Sequence, residues 1–246
     1  MLLFFLSLKL LTFCNDVNSR DSSFVSEIWD NQYSTFNFTT EKKNISCLEH
    51  HSSQNELISS DFLNCIKTKK NGKLFFRAIK NAENILEVGC GTGEMLSKIY
   101  KIFPNKKMLG VDISLSSISY ANKSYARPNL KFEKFNCLTS SIEKAFGRFS
   151  LAICSNTLEH FKDPFVLLDQ IFKAVNYCII LVPYKQPITD GYDSEGSLGH
   201  VYSFDEYVFS KYELVEYFIF STDGWQYSSK GEVPLQLAVL LKQKKS

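Results

Sequence analysis

No two cysteines in this chain stand at the Cys-x-x-Cys spacing. The seven thiols are scattered at positions 14, 47, 65, 90, 137, 154 and 178. An odd, dispersed set reads as reduced intracellular cysteine and argues against a disulfide framework. Cys47 with His50 and His51 has metal-ligand character but no matching second half, so no metal is expected. A strong excess of one charge is also missing. The net charge is +2, which argues against a dedicated nucleic-acid binder. The short basic run of Lys67, Lys69, Lys70 and Lys73 flanks a predicted helix and reads as a solvated face. There is no internal repeat and no low-complexity linker.

No apolar run is long enough to span a bilayer comfortably. Residues 1–13 come nearest, with Leu2, Leu3, Phe4, Phe5, Leu6, Leu8, Leu10, Leu11 and Phe13. No basic segment precedes this run, Lys9 interrupts it, and no small-x-small cleavage site follows. A cytoplasmic protein is the expectation, with a signal-like segment or an interfacial helix at 1–13 as the alternatives. The sequons Asn37-Phe38-Thr39 and Asn44-Ile45-Ser46 matter only if the chain is secreted.

What is present is enough for one sizeable packed domain, with 246 residues of which 44% are hydrophobic. Residues 16–53 are polar with interspersed aromatics and predict an irregular cap, with short helical pieces around 23–32. Apolar residues at 57, 58, 62, 63 and 66 form a helical stripe, and Asn71-Gly72 marks a break. From there strand and helix alternate. Strands are predicted at 84–88, 107–111, 130–134, 149–154 and 177–182, and helices at 93–103, 115–125, 140–146 and 164–175. Continuous apolar strands such as Leu151-Ala152-Ile153-Cys154 suit a parallel sheet covered on both faces. The alternation predicts a doubly wound α/β fold. Residues 214–220 and 235–242 are strand-like with no helix between them, so they must pair antiparallel.

The most informative stretch is Asn84-Ile85-Leu86-Glu87-Val88-Gly89-Cys90-Gly91-Thr92-Gly93. A buried strand ends in an acid, then in three alternating glycines, then in a helix. A loop this poor in Cβ atoms lets a ligand rest on the main chain, at the place where open α/β sheets bind nucleotides. About 19 residues on, a second strand ends in Asp112, a distance that suits a pair of ribose hydroxyls. The spacing is Gly-x-Gly-x-Gly, not the Gly-x-Gly-x-x-Gly that receives a dinucleotide pyrophosphate. A carboxylate at Glu87 repels a diphosphate and attracts an ammonium.

Residues 86–93 resemble the first motif of class I S-adenosylmethionine-dependent methyltransferases. Val111-Asp112-Ile113-Ser114 resembles their second. Ser155-Asn156-Thr157-Leu158-Glu159-His160-Phe161-Lys162-Asp163-Pro164 is similar to the segment after strand four in the ubiquinone-methyltransferase-like, small-molecule subgroup. The resemblance runs over about residues 80–182. It implies a mostly parallel, seven-stranded Rossmann-like sheet with a C-terminal antiparallel pair and an N-terminal helical cap. The implied division is an apolar segment at 1–22 and a single domain at 23–246. That domain comprises a cap at 23–80, a cofactor-binding core at 81–183, and a substrate loop with terminal strands at 184–246.

The implied cofactor is S-adenosyl-L-methionine, and the implied partner is a small-molecule, glycan-like or lipid-like acceptor methylated by in-line displacement. A non-catalytic cofactor-binding scaffold of the same fold is the alternative. An NAD-dependent oxidoreductase is disfavoured by the glycine spacing and Glu87. Gly89, Gly91 and Gly93, with Cys90 between them, let the main chain approach the methionine and ribose. Glu87 orients the amino-acid end, or is a surface acid at a strand end. Asp112, followed by Ile113, accepts the ribose hydroxyls, or caps the next helix. Asn136 and Cys137 occupy the adenine position, where the family often has an acid. Ser155 and Asn156 line the cofactor floor. Cys90 and Cys137 lie near the cofactor, either as redox-sensitive thiols or as small buried hydrophobes.

Methyl transfer needs alignment and, for an oxygen or nitrogen acceptor, a base. The loop at 184–204 is long enough to be functional and carries Asp190, Asp193, Glu195 and His200. His200 is the candidate base or substrate contact. Its other reading is a loop histidine capping a helix that begins near 203–206. His160 is the second candidate base, with Glu159 beside it. Tyr33, after Trp29, either closes over the cofactor or packs the cap.

Overall fold

A computed structural model describes residues 37–40, 43–188, 200–222 and 234–244. The apolar segment at 1–13, the helical pieces expected at 23–32, Trp29, Tyr33, Asp190, Asp193 and Glu195 lie outside the described residues.

A short antiparallel hairpin, β1 (Asn37–Thr40) and β2 (Lys43–Ser46), leads into the long helix α1 (Cys47–Thr68). The segment expected to be irregular up to residue 53 is therefore partly regular, and α1 begins well before its apolar stripe. Ahead of that stripe Ser52 bonds to Glu94 and Asn55 to Thr92. After a 3-10 turn at Lys70–Gly72 comes α2 (Lys73–Asn81). The alternation then runs β3 (Asn84–Val88), α3 (Glu94–Ile102), β4 (Lys107–Asp112), α4 (Leu115–Tyr125), β5 (Leu130–Lys134), α5 (Ile142–Phe146), β6 (Leu151–Ser155), α6 (Pro164–Ala174) and β7 (Tyr177–Pro183). It ends with β8 (Glu213–Ser221) and β9 (Leu235–Lys242).

Local chemistry sets several of these boundaries. Ser114 Oγ accepts from the Ser117 amide at 3.2 Å and starts α4. The Asp163 carboxylate accepts from the Phe165 amide at 3.0 Å, with Pro164 in the first turn of α6. Both are N-caps of the expected kind.

The seven-stranded sheet has the order β5-β4-β3-β6-β7-β9-β8. All neighbours through β7 are parallel, and β9 runs antiparallel between β7 and β8. Because β3 leads to β4 on one side and has β6 on the other, the loop after β3 opens at a topological switch point.

Alternate strand residues feed two cores. One face holds Ile85, Ile153, Ile179 and Leu181 under α1 to α4, and the other holds Leu86, Cys154, Ile180 and Val182 under α6. Helix α1 is a structural layer. Phe62, fully buried, stacks on Phe218 of β8 at 6.2 Å and meets Phe75 of α2 edge-on at 6.1 Å. Lys67, Lys69, Lys70 and Lys73 are all exposed, as a solvated face requires. No helix among the described residues is long and apolar enough to cross a membrane.

Candidate functional site

The glycine loop is held on the end of β4. The Gly89 and Cys90 amides both donate to the Val111 carbonyl, at 2.9 and 3.1 Å. The Gly91 amide donates to Asp112 Oδ2 at 2.9 Å, and Asp112 Oδ1 accepts from the Ser114 amide at 2.9 Å. The two motifs thus meet through one carboxylate, which shapes the loop and starts α4.

Two glycines are required by geometry. Gly89 has φ +72° and lies so close to Thr157 that a Cβ would stand 2.2 Å from its Oγ1. Gly93 has φ +93° at the N-cap of α3, with the Phe132 ring 2.9 Å from where a Cβ would be. Such φ values favour glycine.

Glu87 points into the face under α1 to α4 and is only 2% exposed. Burial, reinforced by the nearby charge of Glu94, holds its carboxyl well above the usual range, and the Leu96 amide eases this in part. Its Oε2 has no hydrogen-bond partner among the described residues. The acid is therefore not a surface group at a strand end.

Cys90 packs inward against Gly110, and burial raises its thiol well above the ordinary value. Cys137 is likewise pushed up to about 12 by burial. Both behave as small buried hydrophobes, because a thiolate is the reactive form. Asn136 uses its carboxamide oxygen to accept from the Leu138 amide at 2.9 Å, so the NH2 end is what it can offer a ligand. Ile113 is half-buried beside Asp112.

Sequence reasoning passed over a network that ties α1 to this loop. Ser52 Oγ donates to Glu94 Oε1 at 2.5 Å, Thr92 Oγ1 donates to Glu94 Oε2 at 2.6 Å, and Asn55 Nδ2 reaches Thr92 Oγ1 at 3.3 Å. Burial raises the Glu94 carboxyl, while the two hydroxyls oppose the shift. An acid on the buried face of an amphipathic helix was the available signal.

On the other side of β3, β6 ends in Ser155. Its carbonyl accepts from Thr157 Oγ1 at 3.0 Å. Asn156 is left-handed at φ +46°, and both polar atoms of its buried amide lack a partner among the described residues.

A 3-10 turn, Leu158–His160, follows. The Val201 and Tyr202 amides donate to the Glu159 carbonyl at 2.8 and 3.2 Å. These bonds bring His200 to His160, with ring centroids 5.2 Å apart. The two candidate bases are thus neighbours. His200 Nδ1 lies 2.7 Å from Gln186 Oε1, within hydrogen-bond distance.

The helix expected near 203–206 is absent. Phe204 instead bridges to Tyr184, the Lys185 amide donates to the Phe204 carbonyl at 2.8 Å, and residues 206–211 form turns. Asp205 Oδ1 takes the Tyr207 and Val208 amides at 2.9 and 3.2 Å, which closes a turn without continuing it.

Glu159 is 1% exposed, and burial pushes its carboxyl from the ordinary 4.5 up to about 8. Between those two values the unfolded chain has released a proton that the folded chain keeps. Stability from this group is therefore complete below about pH 4.5, falls as pH rises, and is lost above about pH 8. Glu159→Gln should remove that slope. In denaturant melts from pH 5 to pH 8 the variant should gain on the parent by on the order of a few kcal/mol. A difference that stays flat with pH would mean that the carboxyl is not held neutral.

This arrangement has clear relatives. The chain matches the methyltransferase domain family over residues 61–213. It is 36% identical over 93 residues to an uncharacterized protein of Rickettsia prowazekii, a stretch covering 37% of this chain and 16% of that protein. It is 32% identical over 106 residues to malonyl-[acyl-carrier protein] O-methyltransferase 1 of Ilyobacter polytropus, covering 43% of this chain and 38% of that enzyme. These matches span well under half the length of either relative. The solved structure of magnesium protoporphyrin IX methyltransferase from Synechocystis PCC 6803 with bound SAH has the same fold. It gives a TM-score of 0.57 at 12% identity, covering 91% of this chain and 100% of that one. The chain belongs to the class I S-adenosylmethionine-dependent methyltransferase family.

Proposed function

We propose that the chain is an enzyme that moves a methyl group from S-adenosylmethionine to a small-molecule or glycan- or lipid-like acceptor; the composition of the 184–204 loop suits a hydroxylated acceptor as well as a quinone ring. The observation that carries the reading is the glycine loop anchored to Asp112 at the switch point of the sheet. The residues fit the cofactor. A Cβ on Gly91 would meet only the Asn55 amide, at 3.3 Å, so the loop offers an open shelf of main chain. Glu87 Oε2 and the Asn156 amide are buried polar atoms that a bound ligand would satisfy.

When bound, S-adenosylmethionine supplies a methyl group on a sulfonium, whose departure leaves a neutral thioether. The chain's own part is binding and alignment. Gly89, Gly91 and Gly93 admit the methionine and ribose portions, and Cys90 shapes the loop from within the core. Glu87 orients the amino-acid end, and an approaching ammonium draws its carboxyl into the charged form. Asp112 receives the ribose hydroxyls. Ile113, Asn136 and Cys137 flank the adenine, and Ser155 and Asn156 form the floor. His160 and His200 stand on the acceptor side, where an imidazole holds the acceptor or takes its proton.

Calorimetry tests the cofactor, with micromolar binding of S-adenosylmethionine and SAH expected and no binding of NAD; the reverse pattern sinks the reading. A labelled-methyl screen over metabolite fractions tests turnover. With an acceptor in hand, His200→Ala should lower kcat by about a hundredfold and leave SAH affinity nearly unchanged. Equal loss of both would make His200 structural. Tight SAH binding with no incorporation into any fraction would favour a cofactor-binding scaffold.

A further inference from the structure

Glu159, His160 and His200 each place a donor atom within 4.8 Å of the other two. We propose that these three side chains form a binding site for one divalent transition cation, Zn2+ or an ion of similar character, on the acceptor side of the methyl-transfer centre.

The first support is Glu159 itself. Its side chain is 1% exposed, and neither carboxyl oxygen has a hydrogen-bond partner among the described residues. A buried carboxyl left in this state is costly, and a cation shared with two imidazoles would compensate that cost. The second is the orientation of His200. Its Nδ1 is 2.7 Å from the Gln186 carboxamide oxygen, the second hydrogen bond that ligating histidines habitually make through their other ring nitrogen. The third is the main chain. The Val201 and Tyr202 amides donate to the Glu159 carbonyl and so tie the segment after His200 to the turn that carries Glu159 and His160.

The donor set selects the ion. Two imidazoles and one carboxylate suit zinc and its neighbours, whereas calcium and magnesium favour oxygen alone. Three protein ligands also leave coordination positions open, the arrangement of zinc sites that act on a substrate. Donors around one ion at about 2.1 Å stand roughly 3–3.5 Å apart, so a small side-chain adjustment closes the set. Glu159 and His160 are adjacent in the sequence, and the fold brings in the third ligand, His200.

The site stands on these residues alone, while the role it gives the cation rests on the function proposed above. A cation here would take an acceptor oxygen at an open position and lower the pKa of its proton. His160 and His200 would then serve as ligands instead of as the base.

The test uses the untagged full chain, stripped with EDTA and freed of it. Titration with Co2+, followed by its visible absorption, should give one ion bound per chain, displaced by Zn2+. Glu159→Gln and His200→Ala should each weaken binding by roughly tenfold or more, and Gln186→Ala by a similar factor through loss of orientation. SAH calorimetry on each variant reports that the fold and the cofactor site are intact. His200 is half-buried at a loop end, so its variant serves if Glu159→Gln does not fold. Absence of stoichiometric Co2+ uptake by the parent chain, or uptake unchanged in His200→Ala, overturns the site. Uptake of metal without SAH binding would uphold the site and sink the methyltransferase reading, so the two failures are distinct.

Discussion

Asp112→Ala should weaken SAH binding by roughly 3 kcal/mol, about 150-fold, in a calorimetric titration at neutral pH. Two effects add. The carboxylate is the group assigned to the ribose hydroxyls, and hydrogen bonds to a charged acceptor are stronger than neutral ones. The inward lone pairs accept from the Gly91 amide and the Ser114 amide, both at 2.9 Å. Their loss frees the loop, and the cofactor must then order it again on binding. Asp112→Asn separates the two effects. It keeps one carbonyl oxygen in place for an inward amide but surrenders the charge, so its affinity should fall between those of the parent and the alanine variant. Unchanged binding in Asp112→Ala would mean that the cofactor site lies elsewhere.

Gly89→Ala should be among the most destabilising single-methyl changes in the chain. The added Cβ would stand 2.2 Å from Thr157 Oγ1, 2.6 Å from its Cγ2 and 2.9 Å from its Cβ, at φ +72°. Left-handed backbone costs an alanine about 1 kcal/mol, and overpacking against a strand-end residue adds about 1–3 kcal/mol. A melting temperature lower by about 10 °C is the expected result for a chain of this size. Combining the change with Thr157→Ala removes the two nearest contacts and should restore part of the loss, but not the backbone strain. A double variant no more stable than Gly89→Ala would show that the contact with Thr157 is not the cause.

Much of this protein could be read without a structure. The alternation of apolar strands and amphipathic helices is a local signal, because period and run length belong to neighbouring residues. That is why β3, β5 and α4 fall where the pattern placed them, and why the remaining core elements differ by only a few residues at their ends. The glycine loop and Asp112 were legible for the same reason, since each sits at the end of its own strand. The direction of the last strand pair was legible too, because no helix connects β8 to β9.

Other features were decided only by packing. Strand β9 lies between β7 and β8, although sequence order alone would have placed β8 beside β7. The stripe of α1 announced a helix, but not that Phe62 would fill a core with Phe75 and Phe218. The buried state of Glu87 depends on which face of β3 lies under α1 to α4. The polar turns that hold Ser52 and Asn55 against Thr92 and Glu94 look, along the chain, like an ordinary solvated surface.

The sequence by itself determined the sheet class, the glycine loop and the acid that serves it, because each is written within a strand and its following turn. The tertiary structure alone brought Glu159, His160 and His200 together. Glu159 and His200 are some forty residues apart, and what joins them is a pair of main-chain hydrogen bonds to a turn at the end of β6. Bonds of that kind carry no side-chain signature, so no spacing in the sequence could announce them.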